Sequence, residues 1–148
     1  MNASDVMTAG VITTGPDADV KSVAKTMLEK GISALPVVDK DGKLIGIISE
    51  GDLIQRAESG TEAKTSWWLR LLSDSETLAS RFVKAHGLRV SDVMSREVVT
   101  AAPDTHLAEI ARLLEKNRIK RVPIVKDGKL LGIVSRANLL QALASAKP

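Results

Sequence analysis

The sequence predicts an α+β protein made of two β-α-β-β-α repeats with a helical insert between them. Three observations carry that prediction. The chain repeats itself: Ser4-Asp5-Val6-Met7 recurs as Ser91-Asp92-Val93-Met94, Pro16-Asp17 as Pro103-Asp104, and Pro36-Val37-Val38 as Pro123-Ile124-Val125, each at an offset of 87 residues. Self-similarity at a fixed offset marks a duplicated structural unit. Inside each copy the apolar spacing switches between the helix and the strand period. An Asp-Gly pair then separates two apolar runs, the short-range signature of a β-hairpin. The first copy has Asp39-Lys40-Asp41-Gly42 where the second has Lys126-Asp127-Gly128, so the offset falls to 86 beyond this turn. A loop tip is where the loss of one residue is tolerated.

Taken in order, Val11-Ile12-Thr13 and Val98-Val99-Thr100 read as short strands running into a Pro-Asp helix start. Val20, Val23, Ala24, Met27 and Leu28 then recur at helical spacing, and Gly31 follows as a stop. Leu107, Ile110, Ala111 and Leu114 repeat the pattern. Residues 35–38 and 44–48 form the first expected hairpin, and residues 122–125 and 130–134 the second. Each hairpin hands over to a helix, at Gly46-Ile47-Ile48-Ser49-Glu50-Gly51-Asp52-Leu53 and at Gly132-Ile133-Val134-Ser135-Arg136-Ala137-Asn138-Leu139. The expected organisation is repeat 1 over residues 1–57, an insert over 58–89 and repeat 2 over 90–148. In the insert Ser75 can cap a helix carrying Leu78, Phe82 and Val83. Trp67 and Trp68 either cover an apolar face of their own chain or form a dimer or effector contact, since Trp is enriched at binding hot spots.

Composition narrows the chemistry. With 148 residues, 44% hydrophobic and 26% charged, the chain has the make-up of a soluble globular protein. One Phe, two Trp and no Tyr imply an aliphatic core and no obvious base-stacking platform. The absence of Cys excludes disulfides, thiolate catalysis and Cys-based metal sites. The start, Met1-Asn2-Ala3-Ser4-Asp5, has no signal-peptide pattern, and no apolar run approaches the roughly 20 residues of a membrane span. A cytoplasmic protein without membrane association is the expectation. The net charge of +3 is spread along the chain rather than massed, which argues against a nucleic-acid partner. His86 and His106 stand without clustered ligands, so no metal is expected. There is no Gly-x-x-x-x-Gly-Lys loop and no Gly-x-Ser-x-Gly elbow, and the chain is not expected to be an enzyme.

The chemistry that remains sits at the two Ser junctions. A helix N-terminus presents unpaired N–H groups and a partial positive charge, which suits an anion. A Ser hydroxyl there can contact a phosphate, and a carboxylate one turn in can accept both hydrogens of a ribose diol. Ser-x-x-Asp also reads as a capping box, in which both side chains satisfy backbone donors.

In order and duplication, these motifs resemble a tandem pair of cystathionine β-synthase (CBS) domains, also called a Bateman module. The resemblance covers both repeats and leaves out the insert. It implies two repeats packed about a pseudo-twofold axis, with adenine nucleotides or other adenosyl ligands bound in clefts between them. By that resemblance Asp52 takes the ribose hydroxyls and Ser49 a phosphate, while Thr13, the backbone at Ile32-Ser33, and Pro36 line the adenine pocket. The second copy carries over as Thr100, Ile119-Lys120, Pro123, Ser135 and Asn138. Asn138 stands where the family's acid would be, and its single uncharged acceptor oxygen suits a diol less well. Lys120 and Arg121 replace Ser33 and Ala34; they suit phosphates, or else form a solvated edge beside Arg118.

The reading is therefore a regulatory, ligand-sensing module. No cofactor is required, and AMP, ADP, ATP, NAD or S-adenosylmethionine are the ligands to consider. A homodimer is expected through the aliphatic helix stripes at residues 20–28 and 107–114, with an effector or output domain in a longer parent protein as a further partner. The alternative is an interaction scaffold with empty clefts that docks a partner through the Trp-bearing insert.

Overall fold

The computed structural model describes residues 1–53 and 89–146. Trp67, Trp68 and the helix expected from Ser75 lie outside the described residues. The elements are α1 (Ala3–Val6), α2 (Val20–Lys30), β1 (Ala34–Val38), β2 (Leu44–Ser49), α3 (Val90–Val93), α4 (Leu107–Asn117), β3 (Arg121–Lys126), β4 (Lys129–Ser135) and α5 (Arg136–Ser145). A further helix begins at Glu50. β1 pairs with β2 and β3 with β4, giving the expected α+β class with two small sheets.

The chain divides into two compact units that cut across the order of the repeats. Unit I comprises Thr13–Asp39 and Ile45–Arg96, and unit II comprises Met1–Ile12, Lys40–Leu44 and Glu97–Pro148. The opening residues of each repeat thus lie in the unit formed by the body of the other. In unit I, Val90 and Val93 of α3 join Val20, Val23, Met27, Leu35, Val37 and Ile48 in one buried cluster. In unit II, Ala3 of α1 is buried with Ile110, Leu114, Val122, Ile124 and Val134. Each of these side chains contributes about 1.5–3 kcal/mol on full burial, Ala less.

The repeated Ser-Asp-Val-Met motif is the reason the short helices form. Asp5 and Asp92 sit at the third helical position, and their Oδ2 atoms accept the backbone N–H of Asn2 (2.7 Å) and Arg89 (2.9 Å). The remaining N-terminal donors of α1 reach Thr105 O and Pro103 O, and those of α3 reach Ala18 O and Pro16 O. The longer helices start on a side-chain cap: Asp19 accepts from Lys21 N (2.9 Å), and His106 Nδ1 accepts from Ala108 N (3.0 Å). They end on left-handed residues, Gly31 at φ 63° and Arg118 at φ 53°.

One expectation is corrected and one is narrowed. Residues 11–13 and 98–100 are not strands; pairing there is a single parallel bridge, Thr14 to Val37 and Ala101 to Ile124. The chain leaves the sheet edge at once, because Pro16 and Pro103 follow two residues later and supply no donor to extend the pairing. The aliphatic stripes of α2 and α4 lie mainly inward: Val20, Val23, Met27, Ile110 and Leu114 are buried in their own units' cores and Ala24 and Leu107 are half-buried, while Ala111 is exposed and Leu28 is 84% exposed.

β3 and β4 are antiparallel, with Pro123 opposite Ile133 and Ile124 opposite Gly132. The register then shifts so that Leu130 faces Val125, which leaves Leu131 as the extra residue of a bulge. Asp127 and Gly128, at φ 53° and 82°, make the two-residue turn, whose geometry matches the twist of the strands. Pro36 and Pro123 are tolerated mid-strand because their carbonyls face the Thr14 and Ala101 edge, where they accept N–H bonds at 3.0 and 3.1 Å. The missing Pro donors face that sparsely paired edge too, so no bond of the hairpin ladder is lost.

Candidate functional site

At the β2-to-helix junction, Ser49 and Asp52 form a reciprocal cap. The Ser49 backbone N–H and Oγ–H donate to Asp52 Oδ2 at 2.9 and 3.0 Å, and the Asp52 N–H donates back to Ser49 Oγ at 3.1 Å. The other oxygen, Asp52 Oδ1, accepts the hydroxyl of Ser95 at 2.9 Å. Ser49, Asp52 and Ser95 are all half-buried.

The other residues expected around this junction lie in the same unit. The Glu50 N–H donates to Ser33 O at 2.9 Å, which ties the α2–β1 connection to the start of the helix. Ile32 packs against the unit I core, and the N–H of Thr14, the residue after Thr13, donates to Pro36 O at 3.0 Å. Thr13 is exposed. Unit I therefore holds Thr13, Ile32, Ser33, Pro36, Ser49 and Asp52 within one compact body.

Unit II repeats the arrangement with a changed polarity. Ser135 N–H and Oγ–H donate to Asn138 Oδ1 at 2.7 and 2.9 Å, and the Asn138 N–H donates to Ser135 Oγ at 3.3 Å. The amide's Nδ2 then donates to Thr8 Oγ1 at 3.3 Å. The Arg136 N–H reaches Lys120 O at 3.1 Å, Ile119 packs on the core, and Ala101, which follows Thr100, bonds Pro123 O. Lys120 is exposed and Arg121, the first residue of β3, is half-buried. Both Ser junctions are thus capping boxes in geometry, and they differ in what remains: Asp52 offers acceptor oxygen, whereas Asn138 offers an N–H donor.

The residues that sequence reasoning missed are Thr8 and Ser95. Each follows a Ser-Asp-Val-Met motif at the same 87-residue offset, a signal that was present in the chain. Their placement was not. Ser95 exchanges two backbone bonds with Ile47, both at 2.9 Å, and Thr8 exchanges two with Ile133 at 2.8 and 3.0 Å. Each thereby extends a sheet made by the body of the other repeat. Glycine admits this docking: a Cβ on Gly46 would lie 2.8 Å from Met94 Sδ and 2.9 Å from Ser95 O, and one on Gly132 would lie 2.7 Å from Thr8 O and 2.8 Å from Met7 Sδ. Among the described residues, no cluster of His, Cys, Asp and Glu is placed to hold a metal ion. No helix among them is long and apolar enough to cross a membrane.

Comparison with known proteins agrees with this architecture. Protein MJ1426 of Methanocaldococcus jannaschii is 36% identical over 138 residues, which cover 86% of this chain and 82% of that protein. The inosine-5'-monophosphate dehydrogenase of the same organism is 33% identical over 140 residues, which cover 94% of this chain and 23% of the enzyme. Three further curated relatives are also longer, the chain spanning 42% to 58% of their lengths. The crystal structure of CBSX2 in complex with AMP is similar at a TM-score of 0.75 and 27% identity, covering 97% of this chain and 96% of that one. The CBS domain profile matches residues 3–59 and again residues 90–145, and with most of its length so matched the chain belongs to the CBS domain family.

Proposed function

We propose that the protein is a regulatory module that senses an adenine nucleotide or another adenosyl ligand at the Ser49–Asp52 junction. The observation that carries this reading is Asp52 Oδ1: a half-buried carboxylate oxygen, fixed by the cap on its sister oxygen, with acceptor capacity that Asn138 lacks. The similarity to CBSX2, crystallised with AMP, supports the choice of ligand class. In this reading Asp52 accepts the ribose hydroxyls, Ser49 meets a phosphate, and Thr13, Ile32, Ser33 and Pro36 wall the base. The equivalent set in unit II, Thr100, Ile119, Lys120, Arg121, Pro123, Ser135 and Asn138, binds more weakly, with its cations favouring phosphates over the diol. A ligand regulates only by preferring one conformer of the protein, and the output belongs to an effector or to a further domain of a longer parent. The module needs no cofactor, performs no chemistry of its own, and works as a cytoplasmic homodimer.

Titration calorimetry with AMP tests the assignment. Asp52→Asn keeps the cap, as Asn138 does, but removes the charge. Hydrogen bonds to charged groups are worth about 1.5–3 kcal/mol, so affinity should fall by about tenfold or more. Asn138→Ala should change it far less. Equal losses from the two variants, or no loss from Asp52→Asn in a folded protein, would leave only the capping role. A thermal-shift series with adenosine, AMP, ADP, ATP, NAD and S-adenosylmethionine then ranks the ligands.

A further inference from the structure

The Ser95 hydroxyl already stands on the oxygen that the proposed ligand needs. A carboxylate has about four lone-pair sites. Among the described residues three are filled: two on Asp52 Oδ2 by Ser49 and one on Oδ1 by Ser95. A vicinal diol brings two donors to the one remaining site, so a donor now in place has to leave. Ser49 is held reciprocally, since its Oγ also accepts the Asp52 N–H. Ser95 holds by a single hydroxyl bond from a residue 43 positions away in sequence. Ser95 is the donor that yields.

We propose that Ser95 competes with a bound diol for Asp52 Oδ1, so that occupancy at Asp52 releases the side-chain tether of residues 90–95. This rests on the reading of Asp52 as the ribose acceptor. The tethered segment opens the second repeat yet docks on β2 in unit I, through the Ser95–Ile47 backbone pair and Met94 against Gly46. Ligand binding is thereby linked to how firmly that segment is held. The device is confined to unit I. In unit II the corresponding hydroxyl, Thr8 Oγ1, accepts from Asn138 Nδ2 and blocks no acceptor site.

The test is a set of calorimetric titrations of AMP and 2′-deoxy-AMP into the full chain, the Ser95→Ala variant and the Ser95→Thr variant. Ser95→Ala should bind AMP about tenfold more tightly, the factor that corresponds to one hydrogen bond near the low end for a charged acceptor. 2′-Deoxy-AMP has one hydroxyl for the one open site and should gain little. Ser95→Thr keeps the donor and should match the unmodified chain. If Ser95→Ala does not fold, Ser95→Cys, which holds a weak donor in nearly the same volume, takes its place. AMP affinity that is unchanged or lower in a folded variant, or an equal gain for both nucleotides, overturns the competition alone. Failure of AMP to bind either the unmodified chain or the variant overturns the adenosyl reading, and the competition with it.

Discussion

Asp52 and Asn138 hold the same cap and differ in the group each leaves over, a carboxylate oxygen in one and an amide N–H in the other. Both oxygens that accept from the preceding Ser do the work of an N-terminal cap, and the amide accepts the same two bonds as the carboxylate. Asp52→Asn should therefore leave urea-induced unfolding nearly unchanged. Asp52→Ala should lower stability by about 1 kcal/mol, the usual worth of a cap, and also orphan the Ser95 hydroxyl. A large stability loss from Asp52→Asn would mean that its charge matters to the fold itself. Whether Ser-x-x-Asp is a cap or a ligand site was an open choice in the sequence. The geometry makes it a cap in both copies, and the second oxygen of Asp52 is taken by Ser95, a partner remote in sequence.

At the scale of elements, the duplicated positions allow paired experiments. Gly31 and Arg118 occupy the same place at the ends of α2 and α4, and both are left-handed. A side chain pays roughly 1–2 kcal/mol in that conformation, so Gly31→Ala should destabilise and Arg118→Gly should stabilise, with opposite shifts in melting temperature. Shifts of the same sign would mean that the Arg118 side chain contributes more than its backbone costs. Gly46 and Gly132 are the complementary pair. Substituting either with Ala forces Met94 or Met7 and the adjoining backbone away from the sheet, at a cost of about 1–3 kcal/mol for overpacking. Denaturation of Gly46→Ala and Gly132→Ala measures it, and an unchanged midpoint would show that the docked segments shift freely.

At the scale of the whole molecule, the exchange of leading segments makes the repeats interdependent. Met1–Ile12 belongs by sequence to the first repeat and by packing to unit II. Removing residues 1–9 should deprive Ile133 of both Thr8 bonds and, by taking Ala3 out of the unit II core, uncover Ile110 and Val134. Hydrogen exchange should then speed up across β4 while β1 keeps its protection. Faster exchange confined to β1 and β2 would contradict the exchange of segments. The expected homodimer has less of the α2 and α4 stripes to draw on, since Val20, Val23, Met27, Ile110 and Leu114 are buried in their own cores. Leu28, Leu140 and Leu143 remain 84%, 66% and 74% exposed. Sedimentation at micromolar concentration should give a dimer, and a monomer would remove that part of the reading.

Whatever depends on neighbours along the chain was legible in the residues alone. Periodicity placed α2 and α4, Gly31 marked where α2 ends, and the Asp-Gly pairs fixed the two hairpins, because each of these is decided within a few residues by backbone sterics and local hydrogen bonds. Duplication supplied the architecture and, through it, the family. The rest depends on contacts between segments far apart in the chain. Val11-Ile12-Thr13 has strand-forming residues, yet it is no strand, because a strand needs a partner edge and the chain turns away after one bridge. Most of the aliphatic residues on the α2 and α4 faces are core, and an amphipathic pattern does not say what covers it. Thr8 and Ser95 had the right spacing to be noticed, but their partners lie 130 and 43 residues away. Contacts at that range form only when the other repeat's sheet presents an open edge and a glycine to receive them.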